Sequence, residues 1–226
     1  MKAVIPFKQA GAKSRLGAVL SENEREELAL CMLQDVLVAL ARSTIHEVEI
    51  ITTAASADLM AVTKQHGASN MRITVREDRR DLNDALNDLL ADEREPVLVL
   101  MADIPLAQPG TINEIVAHPE EVVIAPGRKG GTNALFLRNP SAFSVSYYGT
   151  SFLKHRELAQ RRHLSVAIHD SFLISTDIDE VDDLIELLIH GKGYSTAYLR
   201  HIGVQLLVDT QAKTRTLITR SAAEER

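Results

Sequence analysis

The chain has 226 residues, with 31 acidic against 25 basic side chains and a formal net charge of −6. That balance argues against a general nucleic-acid or anionic-membrane surface, while leaving room for a local basic pocket for one small anion. One cysteine, Cys31, excludes an intramolecular disulfide and a cysteine zinc cluster, and the absence of Trp argues against a base-stacking platform.

The length fits one large domain, or a domain with an appendage, able to bury a sizeable core. The N-terminus lacks signal-peptide architecture, because Lys2 is followed by only a few apolar residues before Pro6 and Lys8. No apolar run reaches transmembrane length, so the chain reads as cytoplasmic.

Ala3–Phe7 reads as a first short strand, with Pro6 placing it at an edge or leading it into a loop. The loop from Lys8 to Leu16 carries Lys8, Gly11, Lys13 and Arg15. Ser21 and Glu24 form a capping-box pattern, and Leu28, Met32, Leu33, Val36, Leu37 and Leu40 then mark one helical face. Cys31 falls within this pattern as a core thiol. Glu47–Thr52 is a second strand, Ser56–His66 a helix ended by Gly67, and Arg72–Val75 a third strand. Asp81 caps a helix running to about Asp92.

Val97 begins an apolar run that stops at Asp103 and Pro105, which predicts a central parallel strand buried on both faces. Further on, Thr111–His118 reads as a helix, Glu121–Ala125 as a strand, Gly127–Thr132 as a polar loop and Asn133–Leu137 as a strand. Thr150–Arg162 looks helical, Val166–Ser175 contains a strand, and Glu180–His190 is a helix stopped by Gly191. Gly203–Asp209 and Thr214–Thr219 suggest two strands joined by a polar turn, with a frayed end at Glu224–Arg226. Alternating strands and helices predict a three-layer α/β sandwich with a mostly parallel sheet.

Besides Asp103, four features carry possible chemistry, and each of the four has a plainer reading. Asp103 stands beyond the carboxyl end of a central strand, where open α/β sheets bind ligands. The Lys8–Arg15 loop suits a polyphosphate, or is a solvated basic loop; it is neither a P-loop nor a dinucleotide fingerprint. Asp177 and Asp179 project to one side of extended backbone and, with Asp103, offer hard oxygen ligands for Mg²⁺; alternatively one of them caps the next helix. Gly130, Gly131, Thr132 and Asn133 permit close backbone approach to a ligand, or form a plain hairpin turn. Ser151, with Lys154 or His155 nearby, binds a phosphate or is a helix N-cap. The histidines show no metal-ligand spacing, and no serine-hydrolase elbow is present.

Taken in order, Ala3–Lys8, Ala12–Leu16, Ala102–Pro105, Gly130–Leu135 and Asp177–Asp179 resemble the 2-phospho-L-lactate guanylyltransferase family of deazaflavin coenzyme (F-420) biosynthesis. The resemblance runs from residue 1 to about residue 193. It implies a nucleotidyltransferase of glycosyltransferase-A-like fold that transfers GMP from GTP to 2-phospho-L-lactate and releases pyrophosphate. By motif match, Lys13 and Arg15 bind the triphosphate with help from Lys8 and Gly11. Asp103, Asp177 and Asp179 hold Mg²⁺, Gly131, Thr132 and Ser151 hold the acceptor, and Asn83 meets the guanine or ribose. The tail from about 194 to 226 falls outside the match and is expected to form an oligomer contact, in a homodimer. Two rival functions stay open: guanylyl or cytidylyl transfer to another phosphorylated acid such as phosphoenolpyruvate or 3-phosphoglycerate, and a non-catalytic nucleotide-binding module.

Overall fold

The computed structural model describes residues 1–67, 71–207 and 216–220. Seven strands build one sheet: β1 (Lys2–Phe7), β2 (Glu47–Thr52), β3 (Arg72–Glu77), β4 (Val97–Leu100), β5 (Val122–Pro126), β6 (Thr132–Leu137) and β7 (Val166–Ile168). Their spatial order is β3-β2-β1-β4-β6-β5-β7. β4 is the middle strand, and all four of its residues are fully buried, as its unbroken apolar run requires.

β4, expected as a central parallel strand, is parallel on one side only. It pairs parallel with β1 but antiparallel with β6. Only residues 127–131 separate β5 from β6, too few for a crossover, so β6 returns as a hairpin and runs against the other six strands. Pro6 is not at an edge. β1 lies between β2 and β4, and Pro6 falls where its pairing with β4 has already ended at Val4.

Side chains alternate across the sheet and feed two apolar layers. Ala3, Ile5, Leu98 and Leu100 pack with α1 (Glu22–Ala41), α2 (Ala57–His66), α4 (Pro109–Ala117), α7 (Asp183–His190) and α8 (Tyr194–His201). Val4, Val97 and Val99 face the opposite layer, with α3 (Leu82–Asp92) and α5 (Ser151–Arg161). Leu28, Leu33, Leu37 and Leu40 of α1 have no exposed surface, and each burial is worth roughly 1.5–3 kcal/mol. Cys31 is buried with them, and burial pushes its thiol pKa up to about 12.

The predicted caps form. Ser21 and Glu24 make the reciprocal capping box of α1, Ser56 accepts from the Leu59 amide, and Asp81 from the Asn83 amide. Two helices escaped the sequence reading. A short one, α6 (Phe172–Ser175), lies in the stretch where only the strand β7 was expected. The other, α8, is anchored from afar: Asp35 of α1 accepts from the Tyr194 amide at 2.6 Å, and from the amide and hydroxyl of Ser195. A Cβ at Gly193 would lie 2.0 Å from that carboxylate, so the approach requires glycine.

β8 (Val204–Leu207) and β9 (Leu217–Arg220) pair antiparallel as a separate two-stranded sheet. The turn expected between them and the C-terminal Glu224–Arg226 lie outside the described residues. Among the described residues, no helix is long and apolar enough to cross a membrane.

Candidate active site

The carboxyl ends of β1 and β4 open onto a cavity of about 240 Å³ lined by Lys8, Lys13, Met101, Asp103 and Asp179 among others. A neighbouring cavity of about 380 Å³ shares Pro6, Phe7, Lys8 and Met101 and extends over β2 to Arg80, Asp81 and Tyr148. Both sit where strand order makes an open α/β sheet bind ligands.

The loop after β1 is shaped by two left-handed residues, Gly11 at φ 64° and Lys13 at φ 54°. For a non-glycine residue this conformation costs about 1–2 kcal/mol. Leu16, fully buried, fixes the loop's far end. The turn carries Lys13 Nζ between two carboxylates: it donates to Asp103 Oδ2 at 2.5 Å and Asp179 Oδ1 at 2.7 Å. Burial opposes the ammonium charge, but Asp103 and Asp179 outweigh it and the Lys13 pKa is raised. Burial likewise opposes the Asp179 charge, yet Lys13 prevails and its pKa is lowered. Gly11 N–H donates to Glu26 Oε1 at 3.0 Å. Arg15 is exposed, 3.8 Å from Glu180, which Lys129 also reaches at 2.6 Å. Lys8 is exposed at the junction of the two cavities.

The segment 177–179 is drawn to β4 by Ile178 N–H, which donates to the Asp103 carbonyl at 3.0 Å. Asp177 Oδ1 accepts from Asn133 Nδ2 at 3.2 Å and from the Arg128 amide at 3.3 Å. Asn133 is nearly buried and donates also to the Ile174 carbonyl. A Cβ on Gly127 would lie 2.2 Å from Asn133 Oδ1, so this glycine is required by packing. Neither Asp177 nor Asp179 caps the following helix. The N-cap position is Asp182, which makes no side-chain capping bond, while Asp183 at the start of the helix holds the preceding turn, accepting from the amides of Asp179 and Glu180 at 2.9 and 2.7 Å. α7 starts at Asp183 and not at the expected Glu180.

Among the described residues, no group of three or more His, Cys, Asp or Glu is arranged to hold a metal ion. The three aspartates are neighbours, but the Lys13 ammonium stands between Asp103 and Asp179, so the ligand set expected from the sequence is not preformed. The charge balance nonetheless fits a hard divalent cation. Burial first, and then the negative charges of Asp103 and Asp179, raise the Asp177 pKa despite its bond from Asn133. Lys13 binds two of these three carboxylates, and the charges of Arg15 and Lys129 act on Asp179 from further away.

Beside this charged cluster lies a neutral one. Thr132 begins β6 and Ser151 begins α5; both are about 3% exposed, and His155 is fully buried. Thr132 Oγ1 is 3.0 Å from His155 Nδ1 and 3.2 Å from Ser151 Oγ, while Ser146 N–H donates to His155 Nε2 at 2.9 Å. Gly131 precedes Thr132 in extended backbone, and its carbonyl accepts from Gly127 N–H at 3.0 Å. Thr132 and Asn133, adjacent in β6, thus serve the two clusters from opposite faces of the strand.

Asn83 spends its amide on structure: Oδ1 accepts from the Tyr147 amide at 2.6 Å and Nδ2 donates to the Tyr147 carbonyl at 3.4 Å. Asp81 and Leu82, not Asn83, line the larger cavity. Sequence reasoning gave no role to Arg128, Lys129 or Asp183, and named Asn133 only as part of the glycine-rich motif. The signals were present in part, since Asn133 ends the glycine-rich motif and Asp183 follows Asp179 by one helical turn.

Residues 1–221 match the family model described as "Guanylyl transferase CofC like". The 2-phospho-L-lactate guanylyltransferase of Methanosarcina acetivorans is 48% identical over 199 residues, covering 88% of this chain and 91% of the relative. Among solved structures, a candidate nucleotide-diphospho-sugar transferase from Desulfovibrio desulfuricans G20 superposes with a TM-score of 0.69 at 22% identity, covering 88% of this chain and 94% of its own. The manganese complex of Rv0371c from Mycobacterium tuberculosis gives a TM-score of 0.52 at 18% identity, covering 83% and 97%. These two likenesses bear on the fold, which is that of the nucleotidyltransferases.

Proposed function

The chain belongs to the CofC-like guanylyl transferase family, and on that premise we propose that it transfers GMP from GTP to 2-phospho-L-lactate. The products are lactyl-2-diphospho-5′-guanosine and pyrophosphate. An oxygen of the acceptor phosphate attacks the α-phosphorus of GTP, and the bond to the bridging oxygen of pyrophosphate breaks. With a second pKa near 6, a phosphate monoester is largely dianionic at neutral pH and needs no general base. In keeping with this, the site's one buried histidine is tied into a hydrogen-bonded network instead of facing solvent.

Catalysis then rests on alignment and on neutralising charge at the α-phosphate and leaving group. Lys13 is assigned to the triphosphate, exchanging a carboxylate partner for phosphate oxygens, with Arg15 and Lys8 beside it and the Gly11 turn bringing backbone close. Asp103, Asp177 and Asp179 are assigned to Mg²⁺, which when bound orients and polarises the reacting oxygens. A fold relative's crystallisation with manganese supports use of a divalent ion. Thr132 and Ser151, with the Gly131 backbone, are assigned to the acceptor. Asn83 acts through the Tyr147 segment, beside Tyr148 in the larger cavity's wall. The observation that carries the reading is Lys13 held between Asp103 and Asp179 at the mouth of the central strand.

The test is pyrophosphate release with Mg²⁺, comparing GTP, CTP and ATP against 2-phospholactate, phosphoenolpyruvate and 3-phosphoglycerate. Strongest release from GTP with 2-phospholactate is expected. Preference for another acceptor would change the substrate and keep the mechanism, and silence throughout would sink the assignment.

The same reading treats the chain as one cytoplasmic nucleotidyltransferase domain, with a core of about residues 1–193 and a C-terminal appendage. Leu199 and Val204 of the appendage enter the main core, whereas the paired Leu207 and Leu217 are 53% and 57% exposed. That apolar pair supports a homodimer contact. Sedimentation of a Leu207→Asp, Leu217→Asp variant should give monomer; an unchanged dimer would move the interface elsewhere.

A further inference from the structure

The neutral cluster has one hydrogen more than it uses. Ser146 N–H donates to His155 Nε2 at 2.9 Å, so that nitrogen presents its lone pair and the proton of the neutral ring sits on Nδ1. Nδ1–H therefore donates to Thr132 Oγ1 at 3.0 Å. Thr132 and Ser151 share one bond at 3.2 Å, which takes up one of their two hydroxyl hydrogens whichever way it points. The other hydroxyl hydrogen has no acceptor among the described residues.

We propose that His155 is a positioning residue for the acceptor: by donating to Thr132, it makes the Thr132–Ser151 pair offer a hydrogen, not a lone pair, to an anionic oxygen. This rests on the assignment of those two hydroxyls to the acceptor. With the opposite tautomer, Thr132 would donate inward to the ring. Ser151 would then donate to Thr132, and no hydroxyl hydrogen would remain for the ligand. A charged ring would set Nε2–H against the Ser146 amide, two donors facing each other. The fold keeps the ring neutral, because burial and then the nearby Lys154 charge lower its pKa to about 4. Tyr147 and Phe143 pack against the ring at centroid distances of 5.0 and 6.1 Å and hold its plane.

Two substitutions separate this role from packing. His155→Asn keeps an N–H donor near the Nδ1 position. His155→Gln reaches toward Ser146 and leaves Thr132 without its donor. We expect the Gln variant to raise the acceptor KM about tenfold with little change in the GTP KM, and the Asn variant to stay within about threefold of wild type. Equal effects of the two, or a GTP KM rising in step, would overturn the proposal.

A second measurement needs no variant of the ring's neighbours. Long-range ¹H–¹⁵N spectra of the wild-type imidazoles, with His155 assigned by its absence in either variant, should show it neutral and Nδ1-protonated at near-neutral pH. An Nε2-protonated or charged ring would overturn the proposal. An enzyme inactive with every acceptor would defeat the assigned reaction, while the spectrum would still decide the state of His155.

Discussion

On the proposed assignment, the two clusters at the end of the sheet solve opposite problems. Around Lys13, charge is set against charge at positions open to ligand: Asp103 and Asp179 side chains are 28% and 40% exposed. Around Thr132, every group is neutral and nearly or fully buried. Groups that must trade partners with a nucleotide and a cation need reach and solvent, since a fully buried ion pair resists being opened. Groups that recognise a fixed anion by direction need their hydrogens set beforehand, and burial in a closed network does that. The contrast is between a replaceable set of contacts and a preset one.

The sharpest way to break this division is Asp103→Asn. Removing one carboxylate from a crowded acidic site should lower kcat by about 10²–10³, the range for losing a charge-stabilising group, with little change in thermal stability. Near-normal turnover at limiting Mg²⁺ would remove Asp103 from the metal site.

Next comes Gly127→Ala. Its Cβ would press on Asn133 Oδ1 and so pull the amide from Asp177. We expect about a tenfold loss of kcat and about 1–3 kcal/mol of stability lost to overpacking, read by assay and urea melts. A loss of stability with kcat unchanged would show that Asn133 serves only the fold.

Thr132→Val strikes the preset cluster and leaves His155 Nδ1–H without an acceptor. It should cost about 1–3 kcal/mol in stability, and raise the acceptor KM while sparing the GTP KM. A rise in the GTP KM alone would assign Thr132 to the nucleotide.

The smallest effect is on pH. The His155 ring titrates near 6.5 when exposed and at about 4 in the folded chain. As pH falls the unfolded chain therefore takes up the proton first. The stabilising contribution is complete above 6.5, declines from there to about 4 and is absent below. Urea melts at about pH 7 and about pH 5 should show wild type losing more stability than His155→Asn. Parallel losses would mean that the ring is not held neutral.

Much of the fold could be read from local patterns. The α1 stripe from Leu28 to Leu40, the Ser21–Glu24 box and the Val97–Leu100 run each encode their own element, because periodicity and capping are local forces. What escaped depended on distant partners. α8 carries a polar sequence whose N-terminus is held by Asp35, and no feature near Tyr194 announces that carboxylate. The direction of β6 follows from the shortness of a loop, which only the sheet order makes visible. At the site, the sequence singled out Lys13, Asp103, Asp179, Thr132 and Ser151, and the structure brings the first three together and the last two together. It could not tell that Asp183 would hold the Asp179–Glu180 turn, or that Asn83 would turn to the Tyr147 backbone, since both outcomes are set by how the chain packs.

Lys13 meets Asp179 across 166 positions of the chain. On the ribosome, the basic loop emerges first and the counter-charge at Asp179 only 166 residues later. A chain halted before residue 179 therefore holds a cationic loop with half its clamp missing. Closures of this span also come late in folding, because their entropy must be overcome before the contact is formed. The clamp on Lys13 accordingly closes only once the segment carrying Asp179 has joined the end of the sheet.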